Sequence, residues 1–515
     1  MPYYAEPVNE YMPLLQDDQL KPRSSKPTLR ITTGSLDLPS PQTPPPELDQ
    51  EYVDLLIRKI DRRLLPLMFI TLALNFMEKI VLGNGSVYGL LEDINLSGSR
   101  FSTTASMFYV GYLLWEYPAT IVIQALPVGL FTGLAILLWG VVVACTAFTS
   151  AYGHLLATRF ITGALEAFVN PAFLYITAQW YTRDEAPRRV MVWFAGIGAG
   201  GVLGNLLSWV IGHVDMKPWR WMYAIFGSLA ILWSIVIFLF LPNSVSTARY
   251  FTPAEKDFIE RRIGGDSVRD IEATIDDWTL GEAVSCLLDP KTWFFTAIVF
   301  FGQVGNGSLQ SMANLVLRSF GYTNLETSLV GIPFWIASLM VVLGAGSLAS
   351  RYRNITTSLI AGLSLLPSVG YLIMLLGHGQ PFRLIGYLLT AFAYAGVPLT
   401  LSLIAGNSRS ITQKMTTTAL IFIAGCIANI VGPQLYFARN APLYHNTFII
   451  MAVLYLCQCL TSLGLRMYLW RCNKTLDNEA EANRPNTPII RESGVPSPVI
   501  TREPVRMHEV FRYRL

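Results

Sequence analysis

Apolar residues run through most of this chain in stretches of about 20, each long enough as a helix to cross a hydrocarbon core about 30 Å thick. The pattern predicts spans at 64–85, 104–124, 128–148, 154–178, 190–213 and 219–241. After a hydrophilic stretch it resumes at 293–316, 326–348, 356–376, 382–405, 416–436 and 447–470. Twelve windows in two groups of six predict an all-α membrane protein of two six-helix halves. Equal helix counts around one central linker are what two parallel repeats give, with a substrate cavity between them at mid-membrane.

The hydrophilic pattern divides the rest. Residues 1–57 form an N-terminal tail rich in Pro, Ser and Thr (PSPQTPPPELD), expected to be disordered and without a stretch of signal-peptide length. Residues 58–241 and 293–470 are the two halves, and 242–292 is a linker with an amphipathic stretch, TPAEKDFIERRI. Residues 471–515 are a C-terminal tail, in which Thr487-Pro488 and Ser497-Pro498 are weak phosphorylation candidates.

Composition agrees with lipid as the main solvent. Only 14% of the 515 residues are charged and 52% are hydrophobic, where soluble chains carry roughly 25% charged residues. The net charge of +3 comes from short basic clusters between apolar runs, which excludes nucleic acid as a natural partner. The six cysteines lie in or beside apolar runs without metal-ligand spacing, so no metal site is expected.

Those basic clusters set orientation instead. Arg58, Lys59, Arg62 and Arg63 precede span 1, Arg183, Arg188 and Arg189 follow span 4, Arg351 and Arg353 follow span 8, and Arg471 and Lys474 follow span 12. Alternate connections are basic, which places both termini in the cytoplasm; the uncharged stretch 121–138 breaks the pattern. Of the N-x-[ST] matches, Asn95 alone falls in an external loop and is the glycosylation candidate, Asn84 lying at the membrane edge.

Charges inside a span cost roughly 2.5–3.5 kcal/mol each on insertion scales, so they persist where they pair, line water or bind something. Span 1 carries Asn75, Glu78 and Lys79 at helical spacing on one side (LNFMEKIVLGNG). Lys79 is a candidate for holding an anionic substrate; a Glu78–Lys79 pair or a snorkelling lysine is the structural alternative. Span 4 carries Arg159 and Glu166 seven residues apart on one face, with Gly163 between them to admit a neighbouring helix. Withdrawing a carboxylate from water favours its protonated form, which makes Glu166 a candidate proton carrier; Arg159 serves as substrate ligand or interfacial anchor.

Glu116 beside Pro118 in span 2 either joins proton coupling or satisfies backbone freed by the proline. In the second half the polar residues are amides: Gln303, Asn306, Gln310, Asn407, Asn429 and Gln434. Asn306 and Asn429 are candidate substrate contacts, with helix-to-helix bonding the alternative for each. Gly432-Pro433 predicts an interrupted helix, a hinge or a helix end. GIGAGG at 196–201 fits G-x-G-x-x-G but lies in a span without a preceding strand, and reads as a packing surface.

At LNFMEKIVLGNG, FYVGYLLWEYPATIVIQALP, RFITGALEAFVNPAFLYITAQWYTRDEAPRR, WRWMYAIFGSLAILW, LPNSVSTARYFTPAEKDFIERR, LLDPKTWFFTAIVFFGQVGNGSLQ and ANIVGPQLYFARNAPLYHN, the sequence resembles fungal transporters. The family is the anion:cation symporters of the major facilitator superfamily, allantoate permease branch. The resemblance implies proton-coupled import of a small organic anion, with the basic residue of span 1 and the Arg and Glu of span 4 around the substrate, here Lys79, Arg159 and Glu166. It departs where Glu78 stands in place of the usual Asp, where QALPVGLF has Ala125 and Leu130 in place of basic loop residues, and where SRYR has Ser350 in an acidic position.

The expected activity is secondary active transport at the plasma membrane by a monomer in the bilayer. Its partners are a small anion (allantoate, a ureido acid, a vitamin-like carboxylate or a small peptide) and protons, with the proton gradient in the place of a cofactor. An exporter of a small metabolite and a non-transporting nutrient sensor are the alternatives. No P-loop or HExxH motif is present and the five histidines are scattered, so an enzyme with catalytic residues is not expected.

Overall fold

The computed structural model describes residues 50–97, 99–182, 185–214, 216–264, 280–352, 354–408, 411–436 and 444–482. The chain divides into Met1–Asp54 and Leu55–Leu515; of the first unit only residues 50–54 are described, as the start of a helix. The expected disorder of 1–49 and the two Ser/Thr-Pro sites lie outside the described residues.

The long helices follow the hydropathy windows in order. In the first half they are α1 (Gln50–Val87), α2 (Arg100–Ala125), α3 (Val128–Thr146), α4 (Tyr152–Glu166 with Val169–Trp180), α5 (Ala186–Phe194 with Gly196–Ile211) and α6 (Pro218–Phe240). In the second they are α7 (Pro290–Ser319), α8 (Asn324–Arg351) and α9 (Thr356–Leu376), then α10, α11 (Ile411–Gln434) and α12 (His445–Ala482). The tenth, α10, joins Gln380–Leu389 and Gly396–Asn407 through a 3-10 turn, Thr390–Ala395. Among the described residues, ten helical stretches are long and apolar enough to cross a membrane. The other two long helices, α2 and α7, have 26 and 30 residues and carry the polar groups discussed below. Together they make the twelve expected helices.

Local chemistry starts several of them. Asp289 caps α7, accepting from the Lys291 amide at 3.0 Å with Pro290 in the first turn, where its missing N–H costs nothing. Thr323 and Glu326 form a reciprocal capping box at α8. α1 begins inside the predicted tail and α12 runs past Trp470 to Ala482. Hydropathy marks only the stretch in lipid, and the polar ends of both helices continue beyond it. Pro433 lies one residue from the end of α11, so Gly432-Pro433 closes that helix and does not interrupt it.

Each half repeats one packing scheme. α3 lies along α6 as α9 lies along α12, and α2 packs on α4 as α8 packs on α10. On α3, Leu130, Leu134, Leu138 and Val141 form an exposed apolar stripe, as a lipid-facing surface requires. A neighbouring side of α3 is closed on α6: a Cβ on Gly133 would lie 2.8 Å from the Phe238 ring. The halves meet where α2 faces α11 and α5 faces α8. The GIGAGG stretch packs on two sides, Gly200 against the Ala73 carbonyl of α1 and Gly201 against Trp335 of α8.

Hydrogen bonds joining the halves gather toward the face opposite the helix ends that lead to the termini. Asn314 of α7 donates to the Asn84 amide oxygen. Tyr88 and Ser328 share a 3.1 Å bond. Ser102 donates to Gln434 at 3.2 Å, Gln434 to Ser106 at 3.0 Å, and Ser106 to the Ile430 carbonyl at 2.7 Å. Asn84 is therefore buried between helices near the end of α1. On the same face Asp93 of the α1–α2 connection holds Lys217 at 2.5 Å and Arg220 at 2.9 Å.

On the terminal face the linker supplies two docked helices. Pro253–Gly264 buries Ile259 and Ile263, and Glu255 pairs with Lys59 at 2.8 Å. Arg262 pairs with Glu185, and Arg189 with Asp61 at 3.2 Å. Leu280–Leu288 docks on the second half, where Cys286 meets Thr417 at 3.3 Å and Gln413 donates to Asp289 at 3.2 Å. Arg183 and Arg353 lie outside the described residues. The uncharged α2–α3 connection is held by Asn243, which accepts from the Leu130 amide at 2.9 Å.

Candidate functional site

Two ion pairs cross between α1 and α4 in the middle of the first half. Glu78 pairs with Arg159 at 2.7 Å, both side chains buried, and Lys79 pairs with Glu166. Glu78 and Lys79 thus bond across the interface and not to each other. A buried charge is tolerated only with a close opposite charge and satisfied hydrogen bonds. Arg159 meets both demands, donating also to the Tyr223 hydroxyl of α6.

Backbone proximity makes the cluster possible. A Cβ on Gly163 would overlap the Phe108 carbonyl, and one on Gly111 would overlap the Phe160 carbonyl. The two glycines let α2 and α4 cross in direct backbone contact, with Arg159 and Glu166 a turn to either side of the crossing. Glu166 is also the last residue before α4 breaks at Ala167–Phe168.

Lys79 is the partly exposed member, its side chain 16% accessible against 2% for Glu166. Its ammonium lies 5.4 Å from the Phe108 ring and 6.0 Å from the Tyr112 ring, within cation–π range. Asn75, one turn before Glu78, is buried beside Glu166. Asn170 of α4 donates to the Tyr112 hydroxyl at 3.1 Å.

From the second half, α7 brings a ladder of amides. Asn306 donates to Gln303 at 2.8 Å, Gln310 to Asn306 at 3.1 Å, and the Tyr109 hydroxyl of α2 to Gln310 at 2.5 Å. All four are partly exposed near the middle of their helices, and the Tyr109–Gln310 bond joins α2 of the first half to α7 of the second. Phe76 of α1 meets Trp335 of α8 at 4.8 Å and Tyr394 of α10 at 6.5 Å.

The other expected residues fall elsewhere. Glu116 sits toward the terminal face, accepting from Cys426 of α11 at 3.7 Å. Asn429 is buried where α7 and α11 cross, against Gly307, and donates to the Gly425 carbonyl at 2.7 Å. That bond lies within α11, and the Asn429 amide oxygen is buried without a hydrogen-bond partner. Asn95 is exposed in its connection with a left-handed backbone, φ 55°. Among the described residues no three His, Cys, Asp or Glu side chains converge as a metal site. Tyr109, Tyr112 and Tyr223 were not singled out by sequence; the only signal is two tyrosines three apart in FYVGY, on the turn that meets Gly163.

Comparison with known proteins agrees with this architecture. A family model described as Major Facilitator Superfamily matches residues 67–433. The chain belongs to that superfamily. An uncharacterized transporter of Schizosaccharomyces pombe is 30% identical over 75% of this chain and 74% of its own. Allantoate permease of Saccharomyces cerevisiae is 31% identical over 77% of this chain and 76% of its own. Among solved structures, a bacterial homolog of the human lysosomal transporter Spinster, in an inward-facing and unoccupied conformation, superposes with a TM-score of 0.58 at 14% identity. It covers 81% of this chain and 97% of its own. The protein is a multi-pass membrane transporter, and not an enzyme.

Proposed function

We propose that this transporter imports a small organic anion together with protons, using Lys79 as the anion's ligand and Glu166 as the proton carrier. The observation that supports this reading is the Lys79–Glu166 pair, in which the cation is reachable from the space between the halves and the carboxylate is buried. A proton on Glu166 removes the charge that holds Lys79. The freed ammonium then binds a carboxylate, and Arg159 stays on Glu78 as a fixed support.

The loop charges support termini in the cytoplasm, and uptake of an external anion calls for the plasma membrane. In that orientation the inter-half hydrogen bonds from Asn84 to Gln434 close the outer side. Asn95 then faces outward as the glycan acceptor. The allantoate permease relative supports a small nitrogen-rich carboxylate as cargo.

The test is uptake of a panel of labelled organic anions into liposomes carrying the purified protein, with and without an imposed proton gradient. Wild type should accumulate an anion only with the gradient. Lys79→Ala should lose anion uptake, and Glu166→Gln should lose its pH dependence. Uptake that ignores the gradient would overturn the coupling.

A further inference from the structure

Four arginines on the face that carries the termini stand outside the ion pairs of that face. Lys59 is matched there by Glu255, Arg189 by Asp61 and Arg262 by Glu185. Arg58, Arg62, Arg63 and Arg249 are exposed, and among the described residues none of the four has a carboxylate partner.

The fold brings them to one place. α1 buries Leu56, Ile60, Leu64 and Met68 on one side, which turns Arg58 and Arg62, one turn apart, to the other. Arg63 stands at the edge of that exposed side, 4.9 Å over the Tyr250 ring, and Arg249 is the residue before that tyrosine. The Tyr250 hydroxyl in turn donates to the carbonyls of Leu239 at 3.4 Å and Phe240 at 3.2 Å, tying the end of α6 to the start of α1. Deeper in, the same two helices meet where Trp233 donates to Thr71 at 2.8 Å.

Beyond the arginines the surface turns apolar. Arg62 stands just before the apolar run of α1, and Ile70, about two turns further, is exposed. Leu239 and Phe240 of α6 are 67% and 45% exposed. In a chain that spans the membrane, such a step from basic to apolar surface falls where headgroups give way to acyl chains. Guanidinium groups match phosphate oxygens through paired hydrogen bonds.

We propose that Arg58, Arg62, Arg63 and Arg249 hold the headgroup of one anionic phospholipid, whose chains lie on Ile70, Leu239 and Phe240. The bound lipid bridges α1 and the segment that leads into Pro253–Gly264, and so fastens that linker helix to the first half from the membrane side. In the orientation proposed above it belongs to the cytoplasmic leaflet.

The test is native mass spectrometry of the detergent-purified protein with equal amounts of phosphatidylcholine and phosphatidylserine. Wild type should retain phosphatidylserine in preference, with one molecule held more tightly than the rest. Arg58→Ala with Arg62→Ala should weaken that retention roughly tenfold or more. Arg58→Lys with Arg62→Lys keeps the charge and should recover most of it. Arg318→Ala removes an exposed arginine at the far end of α7, on the opposite face, and should leave the preference intact. Glycerophosphoserine, the same headgroup without chains, should not compete at equal concentration.

Equal retention of the two lipids by wild type, undiminished preference in the Ala double variant, or the same loss in Arg318→Ala would overturn the site. Competition by glycerophosphoserine as effective as that by the lipid would overturn the part given to Ile70, Leu239 and Phe240.

Discussion

Glu78 and Lys79 are adjacent in the chain, yet each carries its charge to a different residue of α4, Glu78 to Arg159 and Lys79 to Glu166. Adjacent residues on a helix point about 100° apart. One helix therefore presents a carboxylate and an ammonium to two levels of its neighbour, and the seven-residue spacing of Arg159 and Glu166 supplies the matching levels.

Removing one member of the buried pair should cost more than removing both. Arg159→Met leaves Glu78 buried beside an apolar side chain, at a cost of about 3–5 kcal/mol. The double variant Glu78→Gln with Arg159→Met should recover most of that loss. Thermal unfolding of the detergent-solubilised proteins measures the difference; a double variant less stable than Arg159→Met would refute this account.

The α2–α4 crossing tolerates no side chain at Gly163. Gly163→Val drives carbon into the Phe108 carbonyl and should destabilise the protein by at least about 1–3 kcal/mol. Its yield of monodisperse protein on size exclusion should fall below that of Gly153→Val, because Gly153 has open space around it.

Asp93 gives one connection a defined acid sensitivity. Burial pushes its carboxyl up, but hydrogen bonds from Lys217 and Arg220, reinforced by their charges, hold it below the usual carboxylate range. A lowered folded value means that the clasp is at full strength above the unfolded value of about 4 and fades as pH falls through the folded one. Asp93→Asn should lower the unfolding midpoint at neutral pH, and the gap from wild type should narrow only below about pH 4. A gap that does not change down to pH 3 would contradict the clasp.

The seam on the face away from the termini can be locked. Ser102 and Gln434 share a hydrogen bond through the end of the longer side chain, so Ser102→Cys with Gln434→Cys should be bridged by a short bis-methanethiosulfonate reagent, whose links to the protein are reducible disulfides. Transport should stop when the bridge forms and return on reduction, as read by uptake and by gel mobility. Uninterrupted uptake by fully cross-linked protein would show that this seam need not open.

The spans were legible because membrane helices announce themselves by a local quantity, the length of an apolar run. The cluster was legible in part, since charge in such a run is costly and the four ionised residues stood out. Their pairing was not, because spacing along one helix does not say which level of the next helix it meets. Tyr223 and Tyr109 were hidden for another reason: inside an apolar run a tyrosine is indistinguishable from filler until its hydroxyl finds a partner. The packing of Asn429 was hidden as well, because it rests against Gly307, a neighbour far away in sequence.

The two docked linker helices also bear on how the protein is assembled. Pro253–Gly264 is fastened to the first half through Lys59 and Glu185, and Leu280–Leu288 to the second through Gln413 and Thr417. A gene split between codons 264 and 280 would give two polypeptides, each keeping its own brace. Co-expressed, they should find each other in the bilayer and reconstitute one carrier from two separately inserted chains.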